Sequence, residues 1–196
     1  MPKKVDHEKR RIQIAEATWK VIIDDGLEQA SVRKIATTAG LSVGALRHYF
    51  SSQSDLLSYS MELVSNRVKQ RIQTTAYNGP PLEMLTNVIS ELLPIDEDRR
   101  IEMEVWFVFS AKTLVDSKLE SLSAAVYQEM HQGIENILRA LEEFKLAKKG
   151  IDLEVEVDRL HALIDGLASH HLLHPETFTK DKMIHTLKYH LLSLCK

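Results

Sequence analysis

The chain has one cysteine, Cys195, in 196 residues. A single thiol excludes an intramolecular disulfide framework and suits a reducing compartment. Long apolar runs are also missing: no stretch of about 18 residues is apolar enough to span a bilayer. The opening residues, MPKKVDHEKRR, lack the apolar core of a leader peptide. These absences together point to the cytoplasm. Glycine (7) and proline (5) are few, and several of them mark a local stop or turn where they occur. No cysteines and histidines take the spacing of a structural zinc site. No G-x-S-x-G, H-E-x-x-H or P-loop pattern occurs either. The sequence therefore predicts no catalytic residue, no metal site and no cofactor.

What is present begins with an uneven distribution of charge. The net charge of −3 argues mildly against a nucleic-acid partner until it is divided by region. Residues 1–50 carry nine Lys/Arg against six Asp/Glu, whereas the rest carries sixteen against twenty-two. A basic head and an acidic body match the electrostatic footprint of a DNA-binding chain. The first residues, with Lys3, Lys4, Lys9, Arg10 and Arg11, read as the start of a loose basic arm, able to reach DNA or simply solvated.

Residues 31–50, SVRKIATTAGLSVGALRHYF, organise the head. Ser31 can N-cap a short helix with Val32, Ile35, Ala36 and Ala39 on its inner face. Gly40 supplies the positive φ of a tight turn. Ser42 can cap a second helix, whose inner face carries Leu46 and Phe50 one turn apart. Two short helices around a glycine form a helix-turn-helix pattern. The second helix would present Val43, Gly44, Arg47 and His48 outward, flanked by Ala45 and Tyr49. Arg47 and His48 suit base edges or phosphates, and Val43 and Ala45 suit thymine methyls. Gly44 costs roughly 1 kcal/mol in a helix interior, consistent with close approach to another surface. Arg33 and Lys34 are placed for phosphates.

This stretch resembles the DNA-binding head of the TetR family of bacterial repressors. The resemblance rests on Leu46-Arg47-His48-Tyr49-Phe50, on Ser54-Asp55-Leu56-Leu57 after it, and on Ile14-Ala15-Glu16-Ala17, Gly26 and Ala30-Ser31-Val32 before it. It covers about the first sixty residues and assigns DNA contact to Ser31, Arg33, Lys34, Ser42, Val43, Gly44, Ala45, Arg47, His48, Tyr49 and Gln53. Gln53 departs from the lysine usual in the family, keeping a donor without the charge. It implies an all-α fold: an N-terminal three-helix helix-turn-helix head (1–52), joined by a connecting helix (53–77) to a helical ligand-binding and dimerisation body (53–196). About nine helices are expected in all.

In the body, Asn78-Gly79-Pro80-Pro81 is the clearest break. Pro81 to Leu93 is amphipathic and stops at Pro94. The segment after Asp96-Glu97-Asp98 is apolar nearly all round and should lie centrally. There Trp106, Phe107 and Phe109 lie near Met103, with Glu102 one turn from Trp106. Aromatic faces with a carboxylate suit an organic cation, so these five residues are the candidate effector pocket. Ser117-Lys118-Leu119-Glu120 has capping-box spacing and opens a helix reaching Lys148-Lys149-Gly150. Leu153 to Val157 alternates like a strand but has no partner strand, and is read as the start of a helix. The last two helices resemble the paired dimerisation helices of the family, with Leu160, Leu163, Ile164, Gly166, Leu167, His171, Leu187 and Leu191 as candidate interface. Leu163 to Ala168 and Pro175 to Phe178 look like the choline-responsive BetI branch. His170 and His174 have the spacing of a metal pair but lack a third ligand, and read as surface or interface histidines.

The expected function is a homodimeric, ligand-responsive repressor on a near-palindromic DNA operator, with no membrane partner. A DNA-binding regulator controlled by a protein partner, and a helical enzyme or scaffold, are the alternatives.

Overall fold

Nine α-helices and one 3-10 turn make up the regular structure of the described residues, and no strand forms among them. The computed structural model describes residues 2–114 and 119–196, with side chains from Asp6 onward. Ser117 and Lys118 of the expected capping box lie outside the described residues. The helices are α1 (Pro2–Asp25), α2 (Val32–Thr38), α3 (Val43–Arg47), α4 (Gln53–Thr74), α5 (Pro81–Ser90), α6 (Glu97–Thr113), α7 (Glu120–Glu143), α8 (Leu153–Leu173) and α9 (Lys180–Ser193).

The chain divides into two compact units, one of residues 1–67 with 104–122 and the other of 68–103 with 123–196. The division falls inside α4, well beyond the 52/53 line drawn from sequence. Leu56, at the end of the first turn of α4, is part of the head's own core, and Tyr59 packs against it. That core is built from Ile14, Val21 and Ile22 of α1, Ile35 and Ala36 of α2, and Leu46 and Phe50 of the second helix and its exit. Trp19 is buried and its indole N–H donates to the Ser60 carbonyl at 3.0 Å, so a structural role in the head is secure. Gly26, at φ +87, follows the last residue of α1 and turns the chain out of it.

The N-terminal arm is a correction. Helix α1 begins at Pro2, so residues 7–11 belong to a regular helix. Proline at a first helical position gives up no needed N–H and brings a helical φ.

In the second unit, α5, α7, α8 and α9 bury an aliphatic interior including Leu85, Ile89, Ile134, Leu138, Leu141, Leu160, Ile164, Met183 and Leu187. The alternating segment at 153–157 is helical, because the Asp152 carboxylate caps it by accepting from Val155 N at 3.3 Å. Helix α7 stops earlier than expected. Lys145 takes a left-handed φ of 58, and the N–H groups of Leu146 and Ala147 turn back to the Leu141 carbonyl. The connection to α8 is then stitched to the end of the chain. Lys148 N donates to Leu194 O at 2.9 Å and Lys196 N to Leu146 O at 3.0 Å, around an isolated bridge between Ala147 and Cys195.

Candidate nucleic-acid interface

Both helices of the helix-turn-helix start on a serine cap. Ser31 Oγ accepts from Lys34 N at 3.3 Å and Ser42 Oγ from Ala45 N at 3.1 Å. Each cap satisfies one of the N–H groups that a helix start leaves unpaired. Gly40, at φ +66, makes the turn between them. Leu46 and Phe50 are 1% exposed and anchor the second helix, which continues past Arg47 as tight turns: the N–H groups of Tyr49 and Phe50 both bond Leu46 O.

The residues expected at DNA fall into two groups. Arg33, Gly44, Arg47 and His48 are exposed, and the three side chains with donors form no hydrogen bond or ion pair among the described residues. A Cβ on Gly44 would meet only Ser42 Oγ at 3.9 Å, so nothing in the head demands glycine there. In the second group, Val43 is partly buried against the head core, which corrects its outward placement. Tyr49 also packs on that core, its ring 4.8 Å from His7. Ala45 is half-buried. Lys34 Nζ pairs with Asp25 at 2.7 Å. Gln53 departs furthest from the sequence reading: its amide N–H donates to the Ala30 carbonyl at 2.8 Å, tying the start of α4 to the chain ahead of α2. The missing lysine charge thus goes with an internal bond.

Sequence reasoning missed what holds the exit of α3. The Arg11 guanidinium lies over the Tyr59 ring at 4.1 Å and the Phe50 ring at 4.9 Å. The Tyr59 hydroxyl donates to Glu8 at 2.6 Å. Burial first, and the Glu8 hydrogen bond second, push the Tyr59 phenol up to about 12. The only signal in the sequence was one more arginine in a basic stretch.

The expected effector residues are divided between the units, Glu102 and Met103 in one and Trp106, Phe107 and Phe109 in the other. Trp106 and Phe109 stack with centroids 6.3 Å apart, Phe109 buried. Glu102 is a correction. The residue is 3% exposed and its carboxylate is held on both oxygens by Arg71, at 2.9 and 2.7 Å. Its charge is already matched, so an organic cation would have to displace a bidentate guanidinium. Arg71 also reaches Glu91 at 3.1 Å, and Arg99 joins Glu91 to Asp96 at 2.6 Å each. None of the five expected residues lines the cleft of about 430 Å³ in the first unit, which is walled by Leu27, Glu28, Ser52, Gln53, Leu57 and Lys112 among others.

The expected interface also changes. Leu160, Ile164, Leu167, Leu187 and Leu191 are at most 4% exposed within one chain. They are covered by the second unit itself and hold α8 and α9 in it. Leu163, Gly166 and His171 are half-exposed, and His171 Nδ1 donates to Phe178 O at 2.8 Å. The large apolar side chains left open on these helices are Val155 and Leu173 of α8 and Tyr189 and Leu192 of α9. Among the described residues no group of three or more His, Cys, Asp or Glu is placed to hold a metal, and no helix is long and apolar enough to cross a membrane.

Comparison with known proteins agrees with this geometry. Residues 14–59 match the bacterial regulatory proteins of the tetR family, and residues 81–196 match the C-terminal region of BetI-type transcriptional repressors. The HTH-type transcriptional regulator PksA of Bacillus subtilis is 43% identical over 196 residues, covering 100% of this chain and 94% of that one. The regulator BetI of Stenotrophomonas maltophilia is 28% identical, covering 85% and 83%. A transcriptional regulator from Rhodococcus sp. Rha1 superposes with a TM-score of 0.80 at 25% identity, covering 94% and 95%. A regulator from Saccharomonospora viridis, solved in complex with choline, does so at 0.78 and 24% identity, covering 93% and 95%. With a capped helix-turn-helix at one end and a BetI-type helical region at the other, this chain belongs to the TetR family of DNA-binding transcriptional regulators and is not an enzyme.

Proposed function

We propose that the chain is a cytoplasmic homodimeric repressor that a small molecule releases from a near-palindromic operator. The observation that carries the DNA contacts is the split among the polar side chains of the head. Among the described residues, Arg33, Arg47 and His48 are exposed with no hydrogen bond or ion pair, whereas Lys34 pairs with Asp25 and the Gln53 amide bonds the Ala30 carbonyl. Arg47 and His48 read bases or adjacent phosphates, Arg33 a phosphate, and Gly44 lets the duplex approach the backbone. One head offers too few base contacts for a usable specificity ratio, and a two-fold pair reads two half-sites about one helical turn apart. The second copy docks on the open face of α8 and α9, where Val155, Leu173, Tyr189 and Leu192 stand 49–72% exposed.

The ligand we infer is an organic cation. A structural neighbour was solved with choline. In this chain Asp165 of α8 is half-buried without an ion pair or hydrogen bond among the described residues, and burial holds its carboxyl above the usual range. One turn away, His161 stacks on Tyr127 at 4.8 Å. A half-buried carboxylate with no ion pair or hydrogen bond among the described residues, one turn from stacked rings, suits a quaternary ammonium better than the Arg71-bound Glu102 does.

The test is selection of binding sites from a random-sequence duplex pool by the full-length chain, followed by titration with choline. Enrichment of a near-palindrome is expected. Arg47→Ala should weaken its binding by about 1–3 kcal/mol if the contact is bidentate to a base, and Tyr189→Glu should yield monomers in light scattering. Unchanged affinity in both Arg47→Ala and His48→Ala would remove α3 from the groove. Bound DNA that no cationic compound releases would favour control by a protein partner.

A further inference from the structure

Residues 7–11 precede the segment that matches the tetR family, which begins at residue 14. They nevertheless make the contacts that hold the exit of the recognition helix. His7 lies against Tyr49, with ring centroids 4.8 Å apart. Glu8 accepts the Tyr59 hydroxyl at 2.6 Å. Arg11 covers Tyr59 and Phe50 together, and those two rings are 5.3 Å from one another. Its Nε is buried and has no hydrogen-bond partner among the described residues, so the ring faces take the place of hydrogen bonds for that part of the guanidinium. Tyr49 and Phe50 directly follow Arg47 and His48, and their N–H groups close on Leu46 O. A shift of the two rings therefore turns the backbone that carries the exposed pair.

We propose that Arg11, supported by His7 and Glu8, is a positioning residue for operator recognition: it clamps the exit of α3 against α4 and sets the aim of Arg47 and His48 without touching DNA itself. The proposal rests on α3 being the DNA-reading helix. It differs from the plainer role of a basic residue near a DNA-binding head, which would be to pair with a phosphate. The two roles leave different traces. A lost phosphate contact weakens every duplex alike and lowers the slope of log affinity on log salt by about 0.9. A lost clamp weakens only the recognised sequence and leaves that slope alone.

The experiment uses the full-length chain, the duplex that the wild type selects from a random pool, and a scrambled duplex of the same composition. Arg11→Met keeps the apolar stem and removes the charge. Its affinity for the selected duplex should fall about 3- to 30-fold, the range spanned by one partly desolvated cation–ring contact. Affinity for the scrambled duplex and the salt slope should stay the same, and Arg11→Lys should recover part of the loss. In the free chain, Arg11→Met should speed amide exchange over residues 43–50 while leaving residues 14–25 as they were. Equal weakening of both duplexes with a lower slope would make Arg11 a phosphate contact and overturn the clamp. A lower melting temperature with full affinity and unchanged exchange at 43–50 would reduce it to structural support. Tyr59→Phe, which removes only the Glu8 hydrogen bond, should show a smaller loss of the same selective kind. No loss there, with Arg11→Met too unstable to purify, would also overturn the proposal. A wild type that selects no sequence refutes the assignment of α3 to DNA instead, and the exchange comparison still decides the clamp.

Discussion

The two units differ most in what they bury. Among the described residues, the first unit buries only two polar side chains, Thr18 and Ser60. Each returns its hydroxyl to the carbonyl four residues earlier in its own helix, at 2.9 and 2.8 Å. The second unit buries Thr86 and Ser90 in the same way, and adds Glu102 and His161. Its carboxylates and guanidiniums form a chain from Glu102 through Arg71, Glu91 and Arg99 to Asp96. Neutral hydroxyls that satisfy themselves locally leave a unit indifferent to its surroundings. Buried charges must find partners far along the chain, and they make a unit sensitive to any partner's loss and to acid. A unit of the first kind suits a part that must keep one shape, and a unit of the second kind suits a part whose balance of states can be shifted.

The largest effect is expected where that contrast is sharpest. Removing Arg71 as Arg71→Ala leaves Glu102 buried without its counter-ion, which costs about 3–5 kcal/mol in comparable buried pairs. Hydrogen exchange should show the loss over α5 and the start of α6. Replacing both partners, as Arg71→Met with Glu102→Leu, should recover most of it. A double variant as damaged as the single would mean that charge pairing is not what matters there.

A smaller effect is expected in the first unit from Ser42→Ala, about 1 kcal/mol for a lost N-cap. Ser42→Asp should keep the stability, because a carboxylate caps as well. Thermal melting separates the two, and an equal loss in both would give Ser42 some role beyond its bond to Ala45.

The smallest expected effect is in pH. Burial lowers the pKa of His161 and of His190 from the usual 6.5. The unfolded chain then takes up protons first, so this contribution to stability is full above pH 6.5 and drains away as pH falls toward the folded values. Asp165 acts in the opposite sense, because burial raises its pKa and ionisation above 3.8 costs stability. Exchange rates in α8 and α9 should therefore rise between pH 7 and pH 5 more than those in α2, after correction for intrinsic rates. His161→Phe should flatten part of the difference. A pH response equal in both units, unaltered by that variant, would erase this side of the comparison.

Much of the first unit was legible because its determinants are local. Ser31 and Ser42 bond N–H groups three residues on, Gly26 and Gly40 announce their turns, and Leu46 and Phe50 lie one helical turn apart. The second unit was legible as helices and much less so as a site. The spacing of Leu160, Ile164, Leu167, Leu187 and Leu191 says that a face is buried without saying what buries it, and the chain itself proves sufficient. Glu102 looked free because its partner Arg71 is thirty-one residues away. The internal bond of Gln53 was hidden because the carbonyl it reaches, at Ala30, is twenty-three residues away. The N-terminal stretch read as a loose arm because its binding surface, Tyr49, Phe50 and Tyr59, is assembled only by folding.

The stitch between residues 146–148 and 194–196 makes Cys195 a built-in clock. The thiol donates to Leu191 O at 3.4 Å, and burial raises its pKa despite the nearby Lys148. A protonated, half-covered sulfur reacts slowly, since only the thiolate attacks an alkylating reagent. Opening the stitch bares it. Because the sequence has no other cysteine, one mass shift per chain would time that opening, and thereby the fraying of the α7–α8 connection, without a label added anywhere.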